Sequence, residues 1–120
     1  MLRVVIADDS RVMRQIVIRT LRQAGYDWDI TEAADGALAL EVVTEEQPDL
    51  VLSDWNMPNM TGIELLNALR AAGDDVPFGF VTSEGSPEMR GLAEAAGALF
   101  LVAKPFTAEA FRDVLDPVLA

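Results

Sequence analysis

The sequence contains no cysteine and no histidine. Without thiols it has no disulfide, no thiolate metal site, no cysteine nucleophile and no redox switch. Without imidazole it lacks the commonest general base and the commonest transition-metal ligand. Any metal held by such a chain is a hard, oxygen-seeking ion such as Mg2+. Basic residues are also scarce: 9 Lys and Arg stand against 20 Asp and Glu, for a formal net charge of −11. That surplus repels nucleic-acid phosphates and anionic membrane surfaces, so the chain is expected to bind neither. No window approaches the roughly 20 apolar residues of a membrane span. Met1 leads straight into a short apolar run, with no basic segment and long apolar stretch of a leader. The expectation is a cytoplasmic protein.

What is present suits one ordinary domain over residues 1–120, with 51% hydrophobic content and enough chain to bury a core. Short apolar runs occupy 2–7, 28–33, 50–53, 78–81 and 99–103, and several are continuous, the pattern of strands covered on both faces. Segments of helical period lie between them. Met13, Ile16, Val17, Thr20, Leu21 and Ala24 recur at three and four until Gly25. Residues 36–46 turn Leu38, Val42 and Val43 inward and stop before Pro48, and residues 62–72 carry Ile63, Leu66 and Leu69. A fourth helix opens at Ser86-Pro87, a cap followed by proline at the first helical position, and closes at Gly97. The last starts near residue 107 and sets Phe111, Val114, Leu115 and Val118 on one stripe. Five strand–helix units joined by short loops predict a parallel sheet with helices on both faces. Such a sheet binds ligands at the carboxyl ends of its strands, near the point where strand order reverses.

Those ends carry polar chemistry. The first strand runs into Asp8-Asp9-Ser10, which reads equally as a helix cap and as a pair of functional acids. The third ends in Asp54, a third carboxylate on the same rim. Two unit charges about 4 Å apart repel by roughly 4 kcal/mol at an effective dielectric near 20. Three gathered acids therefore need a cation or shifted pKa values, which favours function over turn formation. The fourth strand ends in Thr82-Ser83, where a hydroxyl alone would be read as a loop cap. The fifth ends in Lys104-Pro105, and Lys104 is the only lysine among otherwise arginine cations. A compact ammonium at that point suits a phosphate oxygen.

These residues, in this order and spacing, resemble the receiver domain of two-component response regulators along essentially the whole chain. The stretch from Asp54 to Gly62, DWNMPNMTG, is especially similar to that of the single-domain chemotaxis regulators of the family. The resemblance implies a flavodoxin-like (βα)5 fold: a doubly wound, five-stranded parallel sheet. It implies Asp54 as the phosphoacceptor, and Mg2+ held by Asp9 and Asp54, by the main-chain carbonyl of Asn56, and by Asp8 directly or through water. Thr82 and Lys104 would contact the phosphoryl group, Pro105 would follow a cis bond, and Asn56 and Glu84 would tune its hydrolysis. The donor would be a phosphohistidine on a sensor histidine kinase or a histidine phosphotransfer protein. The domain would be a signalling module rather than an enzyme, although it assists its own phosphorylation and dephosphorylation.

Three positions depart from the family pattern. Leu101 stands three before Lys104, where the family places a swinging Tyr or Phe, with Phe100 beside it. Gly79 interrupts the fourth strand, which weakens a strand unless something packs close. Thr61 replaces the Asp often found before Gly62. With no further domain after the last helix, the expected output of this monomer is contact with a target protein through helix four, strand five and helix five, near Phe100, Leu101 and Phe106. Arg11, Arg14 and Arg22 recur along helix one, as a solvated face or as a dock for an acidic partner. Among alternatives, a flavodoxin-like nucleotide binder would want a Ser/Thr/Gly-rich loop where Asp8-Asp9 stands. A haloacid-dehalogenase-type phosphatase would want Asp-x-Asp after the first strand. A receiver that binds partners without phosphorylation would not need the full set of acids, hydroxyl and lysine.

Overall fold

A computed structural model describes residues 2–83 and 85–119. Ten elements alternate: β1 (Arg3–Ala7), α1 (Arg11–Gln23), β2 (Asp29–Ala33), α2 (Gly36–Glu46), β3 (Leu50–Ser53), α3 (Gly62–Ala71), β4 (Phe78–Thr82), α4 (Pro87–Ala95), β5 (Phe100–Ala103) and α5 (Ala108–Leu119). The strands form one sheet in the order β2-β1-β3-β4-β5, and every pairing is parallel. This is the doubly wound, flavodoxin-like order, with its switch point between β1 and β3.

Alternation along each strand divides the core into two layers. Val4 and Ile6 of β1, Leu50 and Leu52 of β3 and Val81 of β4 pack with Val17, Ile18 and Leu21 of α1 and Phe111 and Leu115 of α5. Val5, Val51, Phe78 and Phe80 face the other way, against Ala39, Val43, Leu65, Leu66, Leu69 and Ala93. On the carboxyl rim, Ser10, Asp35, Thr61 and Ser86 each accept a main-chain N–H at the start of a helix. Such caps hold the helix starts in place around the rim, each contributing about 1 kcal/mol.

Helix faces differ from the expected stripes at two residues. Ile16 is exposed and Ile18 buried, because apolar residues at both positions leave the α1 stripe ambiguous by one step of rotation. Leu38 is exposed while Ala39 faces the core, because Gly36 lets α2 begin in contact with the Met60 main chain. Gly79 has a packing reason. It pairs with Phe100 across the β4–β5 ladder, and a Cβ there would lie 2.2 Å from the Phe100 ring. Phe100 thus packs with the α1/α5 layer and the neighbouring Leu101 with the other. Phe100, Leu101 and Phe106 are accounted for by core packing, with Leu101 in one layer and the two phenylalanines against the other.

Candidate functional site

The switch point brings the ends of β1 and β3 side by side, and the Asp54 amide donates to the Ala7 carbonyl at 2.8 Å. Asp8 and Asp9 leave β1 there and Asp54 leaves β3. Their carboxylate oxygens lie within 4.8 Å of one another, with Asp8 buried, Asp54 half-buried and Asp9 exposed. Lys104, at the end of β5, reaches across the rim: its Nζ sits 3.2 Å from Asp8 Oδ2 and 3.3 Å from Asp54 Oδ2. The Lys104 amide donates to the Thr82 carbonyl at 2.8 Å, which sets β5 against the end of β4, and Thr82 is fully buried. The Lys104–Pro105 peptide bond is cis.

The two acids that Lys104 meets are also fixed by main chain. The Ser10 amide donates to Asp8 Oδ1 at 2.9 Å and the Trp55 amide to Asp54 Oδ1 at 2.7 Å. Burial pushes the Asp8 carboxyl above its ordinary value; the Ser10 amide and the Lys104 ammonium oppose that rise, and the charge of Asp54 adds to it. Three carboxylates face one ammonium, so the rim keeps surplus negative charge. An all-oxygen donor set of this kind could hold a hard divalent cation.

The loop after Asp54 is held at several points. The Gly62 amide donates to the Trp55 carbonyl at 2.7 Å, and a Cβ on Gly62 would lie 2.1 Å from the Asp54 carbonyl oxygen. Only glycine lets α3 start that close. Ser53 Oγ donates to the same carbonyl at 2.8 Å. Asn59, in the left-handed region at φ 67°, donates from Nδ2 to Asp35 Oδ2 at 3.0 Å. Trp55 is buried against Phe80, with ring centroids 4.8 Å apart. Asn56 is exposed two residues past Asp54. Glu84 lies outside the described residues.

Helix one carries a residue that the sequence reading placed differently. Arg11 and Arg22 are exposed, but Arg14 is not part of an open basic face. Its side chain is 13% exposed and its Nε pairs with Glu32 Oε1 at 2.9 Å. Its Nη1 donates to the Asp8 carbonyl at 2.7 Å. No local sequence signal marks this contact, because the partner Glu32 lies 18 residues away on β2.

Residues 4–116 match the family described as the response regulator receiver domain. The chain belongs to that family. It is 36% identical over 121 residues to the chemotaxis protein CheY homolog of Campylobacter jejuni, covering 98% of this chain and 92% of that one. It is 37% identical over 119 residues to the chemotaxis protein CheY-3 of Vibrio cholerae, covering 98% and 91%. Among solved structures, the chemotaxis response regulator CheY4 of Vibrio cholerae superposes with a TM-score of 0.85 at 38% identity, covering 98% of each chain. The receiver domain of the putative response regulator NarL from Mycobacterium tuberculosis gives 0.84 at 31% identity, covering 99% and 97%. This receiver is a signalling domain of the CheY-like kind, and its acidic cluster could bind a metal. Among the described residues no helix is long and apolar enough to cross a membrane.

Proposed function

We propose that this receiver accepts a phosphoryl group on Asp54 in a Mg2+-dependent reaction and signals through a phosphorylation-dependent contact with another protein. One observation carries the reading: Asp8, Asp9 and Asp54 converge at the switch point with the Lys104 ammonium between two of them. Phosphoryl transfer asks a protein mainly for positioning and charge neutralisation, and a carboxylate is a competent nucleophile. The donor is the phosphohistidine of a sensor histidine kinase or phosphotransfer protein. An Asp54 oxygen forms the new bond to phosphorus as the P–N bond of the donor breaks, and the imidazole leaves with its electron pair.

Asp8, Asp9, Asp54 and the main-chain carbonyl of Asn56 would hold Mg2+, which when bound neutralises charge on the transferring group. The chain's own residues do the rest. The Trp55 amide fixes one Asp54 oxygen and leaves the other beside Lys104. Lys104 stands ready to meet the roughly two negative charges of a phosphoryl group. Thr82, buried at the end of β4, is the hydroxyl that turns toward the modified acid and draws the following loop with it. Asn56 and Glu84 tune loss of the group, and the output face is formed by α4, β5 and α5. The receiver domain spans residues 1–120 and acts as a monomer in the cytoplasm, and it serves chemotaxis as its named relatives do.

The test is incubation with Mg2+ and a small phosphodonor, acetyl phosphate or phosphoramidate, followed by intact mass. The unsubstituted chain gains one acid-stable, base-labile phosphoryl group, whereas Asp54→Asn gains none. Turnover of many equivalents would identify a phosphatase instead, and no mass change would leave a partner-binding receiver that is never phosphorylated. The Asn56→Ala variant should change the rate of loss; an unchanged rate counts against that role.

A further inference from the structure

The geometry points to Arg14 as a positioning residue for the paired acids, acting through the peptide unit that joins them. The inference deepens the reading above and rests on it. The carbonyl that Arg14 Nη1 holds at 2.7 Å belongs to Asp8, so it lies in the plane of the Asp8–Asp9 peptide bond. Fixing that plane fixes the last backbone torsion of Asp8 and the first of Asp9. Together these decide where the two Cα–Cβ bonds point. Asp8 has further restraints in the Ser10 amide and Lys104. Asp9 is exposed and depends more heavily on its backbone.

The guanidinium is itself held from behind. Arg14 Nε meets Glu32 Oε1 at 2.9 Å, and Gln15 Nε2 donates to both oxygens of Glu32, at 3.2 and 3.3 Å. Glu32 lies near the end of β2, which is paired with β1, so the clasp runs from the edge strand through α1 to the rim. A planar fork can serve the Asp8 carbonyl and the Glu32 carboxylate together, which a lysine ammonium cannot do with the same geometry. Glu32 also offsets the cost of keeping a guanidinium largely out of water. Arg14 touches no carboxylate of the site and is therefore not a catalytic group.

Charge and positioning make opposite predictions, which allows a decisive test. Removing a positive charge beside an acidic cluster should by itself tighten cation binding; loosening the acids should weaken it. Mg2+ is titrated into the full chain and followed by the fluorescence of Trp55, whose amide is bonded to Asp54. Phosphoryl uptake from phosphoramidate at saturating Mg2+ is followed by intact mass. Arg14→Met should raise the Mg2+ dissociation constant about tenfold, the scale of lost outer contacts around metal ligands, with uptake at saturating Mg2+ unchanged. Arg14→Lys should recover only part of the affinity. Glu32→Gln should give a smaller loss in the same direction, and adding it to Arg14→Met should cost nothing further, because Glu32 acts through Arg14.

Unchanged or tighter Mg2+ binding by Arg14→Met, with only the unfolding temperature reduced, overturns the proposal. Should Arg14→Met not fold, Arg14→Lys and Glu32→Gln decide in the same way, and unchanged affinity in both overturns it. If the unsubstituted chain neither responds to Mg2+ nor gains a phosphoryl group, the reading of the site fails and this inference falls with it.

Discussion

Both ends of the sheet are acidic, and only one is crowded. At the amino ends of the strands, Asp49 accepts the Arg3 amide at 2.8 Å and Asp74 accepts the Val76 amide at 3.0 Å. Asp74 thereby serves a local turn, and Asp49 ties the start of β1 to the loop before β3. At the carboxyl ends, Asp8, Asp9 and Asp54 share one small volume, and among the described residues they form the one acidic group close enough to hold a metal. The glycines divide in the same way. Gly73, between α3 and β4, has φ +80° with open space around it, whereas Gly62 and Gly36 sit where a side chain would strike a neighbouring main chain. The amino end uses these residues for conformation; the carboxyl end uses them for proximity. A site is thus distinguished from an acidic surface by convergence rather than by composition.

Substitutions can break this contrast in order of effect. Gly62→Ala should be the most damaging, about 3 kcal/mol, because the Asp54 main chain would have to give way. In thermal unfolding this corresponds to a fall of roughly 10 °C for a chain of this size. Lys104→Met, measured without divalent cations, should cost about 2 kcal/mol by leaving Asp8 and Asp54 without their shared ammonium. Added Mg2+ should restore much of that loss, and a variant indifferent to Mg2+ would count against the metal reading.

Asp8→Asn should act with the opposite sign. Burial raises the Asp8 pKa in the folded chain above the ordinary 3.8, so its contribution to stability is fully present below that value. The contribution is lost as pH rises through the folded value, and the ionised acid weakens the fold at neutral pH. Asp8→Asn should therefore raise the unfolding midpoint in EDTA at neutral pH, lose that advantage in acid, and bind Mg2+ less well. Asp49→Asn, at the other end, should lower the midpoint slightly or leave it alone. Gly73→Ala should cost about 1 kcal/mol from left-handed strain alone and leave Mg2+ binding intact.

The smallest effect lies away from both ends. Tyr26 is stacked on Trp28, and its hydroxyl donates to Asp116. Burial first, and then that hydrogen bond, push its pKa from 10.0 up to about 12. The associated stability is present below the ordinary value and lost as pH climbs through the raised one. Alkaline titration of tyrosinate absorbance should show a midpoint near 12, moving toward 10.0 in Asp116→Asn.

Much of this was legible in the sequence because it rests on short-range pattern. The short apolar runs locate β1 to β5 to within a residue or so, and the strand-end rule points to Asp8, Asp9, Asp54, Thr82 and Lys104. Helix orientation was harder where apolar residues outnumbered the buried arc, as with Ile16 and Ile18. The split between Phe100 and Leu101 follows from strand periodicity, but proximity in sequence suggested a single cluster. The clasp of Arg14 and Glu32 joins residues 18 apart on different elements, which no local pattern encodes. The reason for Gly79 likewise lay across the ladder, in Phe100.

One feature of the sheet bears on behaviour at high concentration. β2 is an outermost strand, and its far margin could template pairing with another copy. Its first residue, Asp29, is an exposed acid, so adjoining copies would meet charge against like charge. Crowded neutral solutions should stay dispersed. Asp29→Val should bring turbidity at concentrations where the unsubstituted chain stays clear.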